Sequence, residues 1–99
     1  MLHNYFVYIV TNKYRTTLYI GITNNIQKRI AQHFFDSQNA KKSFAGRYGC
    51  YYLVYYEGFE YPKTAIAREK ELKKWRREKK NELISKFNPK WETLNNPVI

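Results

Sequence analysis

Two short runs of β-branched and aromatic residues, Tyr5-Phe6-Val7-Tyr8-Ile9-Val10 and Thr17 to Ile22, restrict this fold more than any other feature of the chain. A polar, turn-like link through Thr11-Asn12-Lys13-Tyr14-Arg15 separates them. Parallel strands need a long crossover, so two strands this close must pair as an antiparallel hairpin. The first run is apolar and aromatic throughout and reads as a buried strand. Gly21, near the end of the second, marks a place where backbone or ligand comes close.

The rest of the chain extends this hairpin. Thr23-Asn24 offers an N-cap, and a helix is expected from about Asn25 to Asp36, with Ile26, Ile30, His33 and Phe34 at helical spacing. Ser37 to Arg47 is polar and basic and reads as loop. Gly49 to Tyr56 is a third strand, and Glu57-Gly58-Phe59 turns the chain. A second helix starts at Pro62 or Lys63, where proline suits the first turn, and runs to about Trp75. A third covers roughly Glu78 to Phe87, with or without a break between the two. Asn88-Pro89 stops it, because the residue before a proline is pushed out of the helical region. Trp91 and Leu94 look like anchors for the tail, and residues 95–99 are expected to fray. No repeat or linker is visible, so residues 1–99 read as one α+β domain with its core over 5–94.

Charge narrows the function. Eighteen Lys and Arg against eight Asp and Glu give a formal net charge of +10 in 99 residues. Such a chain attracts polyanions by counterion release, which makes nucleic acid the leading partner and an anionic membrane surface the runner-up. The single Cys50 excludes an internal disulfide and any multi-cysteine zinc site. Its expected role is a small apolar residue at the start of a strand. The start of the chain lacks a basic segment and a long apolar run, so no signal peptide, no membrane span and a cytoplasmic location are expected.

Some polar groups sit on faces that should be apolar. On the second helix Ala65, Ile66, Leu72 and Trp75 define an inward stripe, and Glu69 lies on it. An inward carboxylate requires a cation, a metal or a water-filled cleft. A salt bridge to Arg29 or a lysine and a metal-ligand role both satisfy that need. Arg29 and His33, four apart on the first helix, share one face. Arg29 either snorkels or grips a phosphate with its planar fork. His33 either closes the core edge or orients a phosphate or water. Tyr8 and Tyr19 lie in adjacent strands and can share a face, though with ten tyrosines in the chain this pairing alone says little.

The motifs, taken in order, resemble the GIY-YIG nuclease domain. Phe6-Val7-Tyr8 is followed by Tyr19-Ile20-Gly21, Arg29 with His33, Glu69 and then Asn88. The second triplet matches as it stands; in the first, Phe6 and Val7 replace Gly and Ile while the tyrosine is kept. The runs Gly21 to His33, Ala65 to Arg76 and Asn88 to Leu94 are also similar to small stand-alone bacterial members. The resemblance implies a three-stranded antiparallel sheet flanked by about three helices. It also implies endonuclease chemistry like that of the excision-repair nuclease subunit. Glu69 would hold one magnesium (or manganese), Tyr8 would act as general base with Tyr19 as partner or substitute, and Arg29 would neutralise the phosphate. His33 and Asn88 complete the implied catalytic set, Asn88 by orienting a phosphate or supporting Glu69. Lys28, Lys41, Lys42, Arg47, Arg68, Lys73 and Arg76 are expected to hold the nucleic-acid backbone, most readily DNA at a repair or recombination structure. The competing readings are a non-catalytic nucleic-acid-binding module and a basic ribonucleoprotein component. A nuclease requires Tyr8, Tyr19, Arg29 and Glu69 to converge on one concave patch.

Overall fold

The computed structural model describes residues 4–39 and 43–94. In chain order they form β1 (Tyr5–Thr11), β2 (Leu18–Thr23), α1 (Ile26–Gln38), α2 (Phe44–Arg47), β3 (Tyr52–Phe59), α3 (Pro62–Lys74) and α4 (Arg77–Phe87). The strands make one antiparallel sheet in the order β2-β1-β3, and the fold is α+β. The hairpin is therefore present, with β1 at the centre. Lys41, Lys42 and the tail 95–99 lie outside the described residues.

Val7, Tyr8, Ile9, Val10 and Thr11 are all fully buried. Helices cover both faces of β1, which explains why its sequence shows no polar alternation. On one face Val7 and Ile9 pack with Ile20, Val54 and Tyr55 of the sheet and with Ala65, Leu72 and Ile84 of α3 and α4. On the other, Tyr8 and Val10 meet Ile30 of α1, Ala45 of α2, Cys50 and Leu53. At the hairpin, the Asn12 side-chain oxygen accepts the backbone N–H groups of Thr16 and Thr17, and Thr11 donates its hydroxyl to the Thr17 carbonyl. Such local side-chain bonds replace the ladder where the chain reverses.

The Asn25 side chain, rather than Thr23 or Asn24, caps α1 by accepting from the Lys28 N–H. The stretch expected as loop from Ser37 to Arg47 is partly helical. α1 runs on to Gln38, and Ser43 caps the short α2 by accepting from the Gly46 N–H. Gly46 permits this packing, since a Cβ there would stand 2.8 Å from the Asp36 Cβ. β3 starts and ends later than the sequence suggests. Glu57, Gly58 and Phe59 stay in the ladder opposite Val7, Phe6 and Tyr5, so the turn comes after them. Ile66 is 42% exposed, so the inward stripe of α3 is Ala65 and Leu72, with Trp75 packed at its end. The question of one bent helix or two is settled by Trp75 and Arg76, both extended (ψ 150 and 160), which separate α3 from α4. Both the Arg68 guanidinium and the Lys79 ammonium lie over the Trp75 ring.

The tail is fastened chiefly by Asn88. Its amide donates to the Val54 and Glu92 carbonyls and accepts from the Glu92 N–H. Trp91 adds an indole bond to Ser85 and packs on the core, and the Leu94 N–H reaches the Leu53 carbonyl. Asn88→Ala leaves buried backbone groups unpaired and should lower unfolding free energy in urea by about 2 kcal/mol, with the Trp91 fluorescence transition shifting first. Gly21 is tight for a different reason: a Cβ there would stand 2.5 Å from the Tyr8 hydroxyl. Gly21→Ala should therefore cost about 1–3 kcal/mol in the same titration, although the strand itself tolerates alanine.

Candidate active site

Tyr8 sits opposite Gly21 in the β1–β2 ladder, and the missing side chain makes room for its phenol. The hydroxyl meets His33 Nε2 at 2.8 Å, and Arg29 Nε donates to its oxygen at 3.3 Å. Both partners come from α1, where the four-residue spacing stacks them one turn apart beside the buried Ile30. The Asn25 cap sets where that helix begins and so where these two side chains emerge.

Burial pushes the Tyr8 phenol up to about 12, against the hydrogen bond and charge of Arg29. Tyr19 and Glu69 raise it further through their charges. Burial, reinforced by the Arg29 charge, pushes His33 down to about 4. At neutral pH the pair is a neutral phenol bonded to a neutral imidazole. Nδ1 of His33 is buried and has no hydrogen-bond partner among the described residues. A buried ring held by one nitrogen is a costly arrangement, consistent with a functional position.

Tyr19, on β2, turns its ring edge toward His33 at 5.4 Å and lies 6.4 Å from the Tyr8 ring. Its ring also stacks on Phe44 of α2 at 6.0 Å. Tyr8, Tyr19, Arg29 and His33 thus form one contiguous cluster. Glu69 approaches from α3, which packs on both β1 and β2. Its side chain is 16% exposed and pairs with Lys73 Nζ at 3.2 Å, not with Arg29. Lys73 is half exposed, so this pair is not dry. Lys73 also lines a groove of about 300 Å³ with Leu18, Tyr19, Ile20, Phe44 and Lys80, which places the end of α3 along the β2 edge beside the tyrosines.

No group of three or more His, Cys, Asp or Glu side chains suited to a metal occurs among the described residues. That donor set does not fit a zinc-type cage. One accessible carboxylate does fit a hard cation such as magnesium, which keeps several waters and takes one or two protein oxygens.

The remaining expected residues divide. Lys28 and Arg29 line a polar groove of about 240 Å³ with Thr23, Asn24, Asn25 and Gln32. Arg47 and Arg76 are exposed. Arg68, expected on the nucleic-acid surface, is committed elsewhere: its guanidinium bonds both Glu57 oxygens and Glu71, while Tyr55 donates to the same Glu57 carboxylate. Those bonds hold Arg68 well above its usual range and occupy the fork a phosphate would need. Asn88 stands apart from the cluster, with its amide bonded to backbone at β3 and the tail. Sequence reasoning missed Phe44, whereas Lys80 falls in the basic run Lys70 to Lys80 that it offers for holding a backbone. Phe44 was legible only as a large apolar residue following a possible cap, Ser43.

Comparison with known proteins identifies the family. The profile described as GIY-YIG catalytic domain matches residues 4–82. A protein named UPF0213 from Clostridium perfringens is 39% identical over 94% of this chain and 96% of its own length. Similar UPF0213 proteins occur in Natronomonas pharaonis (34% identity over 86% of this chain and 95% of the relative) and Staphylococcus saprophyticus (38% over 85% and 98%). No solved structure gives a significant match. Profile, relatives and fold agree: the chain belongs to the GIY-YIG catalytic domain family, a family of nucleases whose substrates are nucleic acids.

Proposed function

We propose that this chain is a divalent-metal-dependent endonuclease that hydrolyses phosphodiester bonds in DNA. The observation that carries the reading is the Tyr8 hydroxyl held between Arg29 and His33, with the Glu69 carboxylate near enough to act on it electrostatically. The net charge of +10 supports a polyanionic substrate, and cutting at branched or damaged DNA in repair or recombination suits a basic domain of this size. A cytoplasmic setting agrees with a lone, buried, unpaired cysteine. Among the described residues no helix is long and apolar enough to cross a membrane.

Magnitudes constrain how Tyr8 works. Moving its proton to His33 Nε2 in the resting site links a phenol near 12 to an imidazole near 4, a gap on the order of 10 kcal/mol. Tyr8 therefore rests as a neutral phenol and cannot act as a base unaided. A hydrated magnesium or manganese held by Glu69 would supply positive charge that acidifies nearby hydroxyls and offsets charge on phosphate oxygens. The Tyr8 oxygen would orient the attacking water, and it could take that water's proton only as its own passes to His33 Nε2. Arg29 faces the developing negative charge on phosphorus-bound oxygens and is already in place before substrate arrives. Tyr19 walls the groove and holds the His33 ring in its orientation.

Magnesium-dependent nicking of supercoiled DNA tests this directly. Glu69→Gln and Tyr8→Phe should each reduce the rate at least about 100-fold, with Glu69→Gln leaving the melting temperature within a few degrees, and chelation should abolish wild-type nicking. Wild type and Glu69→Gln equally inert on duplex, branched and single-stranded substrates would establish the non-catalytic binding module instead. Neutral His33 has a signature that needs no substrate. Its folded pKa lies near 4 and its unfolded value near 6.5, so as pH falls the unfolded chain takes up the proton first. Stability contributed by neutral His33 is complete above about pH 6.5 and is lost toward pH 4, at about 1 kcal/mol per pH unit. Urea titrations across that window should show the slope, and His33→Gln should flatten it.

A further inference from the structure

The catalytic cluster accounts for the contacts of Tyr19 with Tyr8 and His33; its stack on Phe44 leads away from the site along a line of rings. Phe44 stacks on Tyr19 at 6.0 Å with 27° between planes, and Tyr48 follows at 4.8 Å. Tyr48 opens into a cleft of about 370 Å³ lined also by Lys13, Tyr14, Arg47, Tyr51 and Tyr52. Tyr51 and Tyr52 stack at 4.5 Å with 25° between planes. Phe44 and Tyr48 are each 48% exposed and Tyr14 is 76% exposed.

Rings so exposed do little for the core, and single exposed aromatics need no explanation. These are not single. They form a line of three rings that meets a stacked pair and Tyr14 at one cleft, with cations among them: Lys13 lies over the Tyr14 ring, Arg15 over Tyr52, and Arg47 at the cleft wall. On the catalytic side the same track borders the groove that holds Lys73 and Lys80. A purely phosphate-binding surface needs the cations and no rings. In a duplex the base faces are already stacked on each other, so the rings would have nothing to meet. Unpaired bases offer free π-faces and a flexible backbone that can follow a charged groove.

We infer that the line Tyr19–Phe44–Tyr48 and the adjoining basic aromatic cleft bind unpaired nucleotides beside the scissile phosphate, making single-stranded nucleic acid, or a single-stranded arm, the selected substrate. This rests on the nuclease reading for the position of the scissile phosphate. The line of rings gives direction as well as affinity. A strand laid along it passes from the cleft over Tyr48 and Phe44 and reaches Tyr19 at the reacting centre.

Fluorescence anisotropy tests the inference with the full chain carrying Glu69→Gln, which keeps the probes intact. The probes are a labelled single-stranded DNA, the RNA strand of the same sequence and the annealed DNA duplex, at one fixed salt concentration. At least one single strand should bind about tenfold more tightly than duplex, and Tyr48→Ala and Phe44→Ala should each weaken it roughly tenfold while changing duplex binding less than about twofold. Tyr48→Phe should retain affinity. Tyr48→Leu keeps apolar bulk without a ring and should behave as alanine does, which separates stacking from loss of fold. Preference for DNA or RNA among the single strands identifies the sugar, and either result meets the expectation. Equal affinity for strand and duplex overturns the inference, as does equal weakening of all probes by the variants. A self-association of the chain abolished by Tyr48→Ala, with strand affinity unchanged, also overturns it by assigning the face to a second copy. Magnesium-dependent nicking by a chain whose ring variants bind normally removes the stacking track and leaves the nuclease. Ring-dependent strand binding by a chain that cuts nothing does the reverse.

Discussion

A tyrosine hydroxyl in the middle of the central strand must be hydrogen-bonded, because burying it unpaired costs roughly 2–7 kcal/mol. Around Tyr8 this requirement organises both neighbours of the strand. β2 must present Gly21 opposite it, since any side chain there would occupy the phenol's place. α1 must dock with Arg29 and His33 one turn apart and facing the sheet, which fixes its rotation about its axis. That rotation depends on the Asn25 cap at one end and on Ile30, buried between the two polar residues. The same contacts that satisfy a buried group also build the candidate site, so packing and the proposed chemistry rest on the same side chains at this position.

The charge arrangement follows from burial. Both partners in the Tyr8–His33 bond are held neutral, one by a raised and the other by a lowered proton affinity. Glu69 stays outside the contact, reached from the β2 edge, and its pairing with Lys73 is a half-exposed contact one turn along the same helix. Such pairs contribute only about 0.3–0.5 kcal/mol. A divalent cation can therefore take the Glu69 carboxylate from Lys73 with little loss. Lys73, which lines the groove beside Tyr19, would then be released to face a phosphate.

Much of this was legible in the sequence, for identifiable reasons. The hairpin follows from two β-rich runs too close for a crossover, and Glu69 was conspicuous because a charge at that helical spacing faces the body. Arg29 and His33 follow from four-residue spacing. Tyr8 and Tyr19 were not separable from eight other tyrosines by composition, and only the Tyr-Ile-Gly motif singled them out. α2 escaped notice because four residues are too few to show a helical period. The end of β3 was misplaced because Gly58 reads as a turn, while pairing with Phe6 in the ladder keeps it extended. Arg68 was misread because nothing local reveals Glu57, eleven residues earlier on β3, as its partner. Asn88 was read as a helix stop or a catalytic amide, and its long-range bonds to Val54 and Glu92 depend on how the tail folds back.

Two arginines show how the fold separates structural from functional cations. Arg68 and Arg29 each lean from a helix toward the sheet, and each side chain is partly buried. Arg68 is surrounded by Glu57 and Glu71 and stacked on Trp75, so its charge is neutralised within the fold. Arg29 donates instead to a phenol that is uncharged at neutral pH. Hydrogen bonds to the Tyr8 and Tyr19 hydroxyls fix the guanidinium without the countercharge that Arg68 has, and Arg29 lines the groove shared with Lys28. Among the described residues no carboxylate pairs with Arg29, so its charge is left to face the groove. A planar guanidinium with its charge left in this way suits a phosphate oxygen, and in the proposed reaction it would hold that oxygen beside the Tyr8 hydroxyl it already bonds.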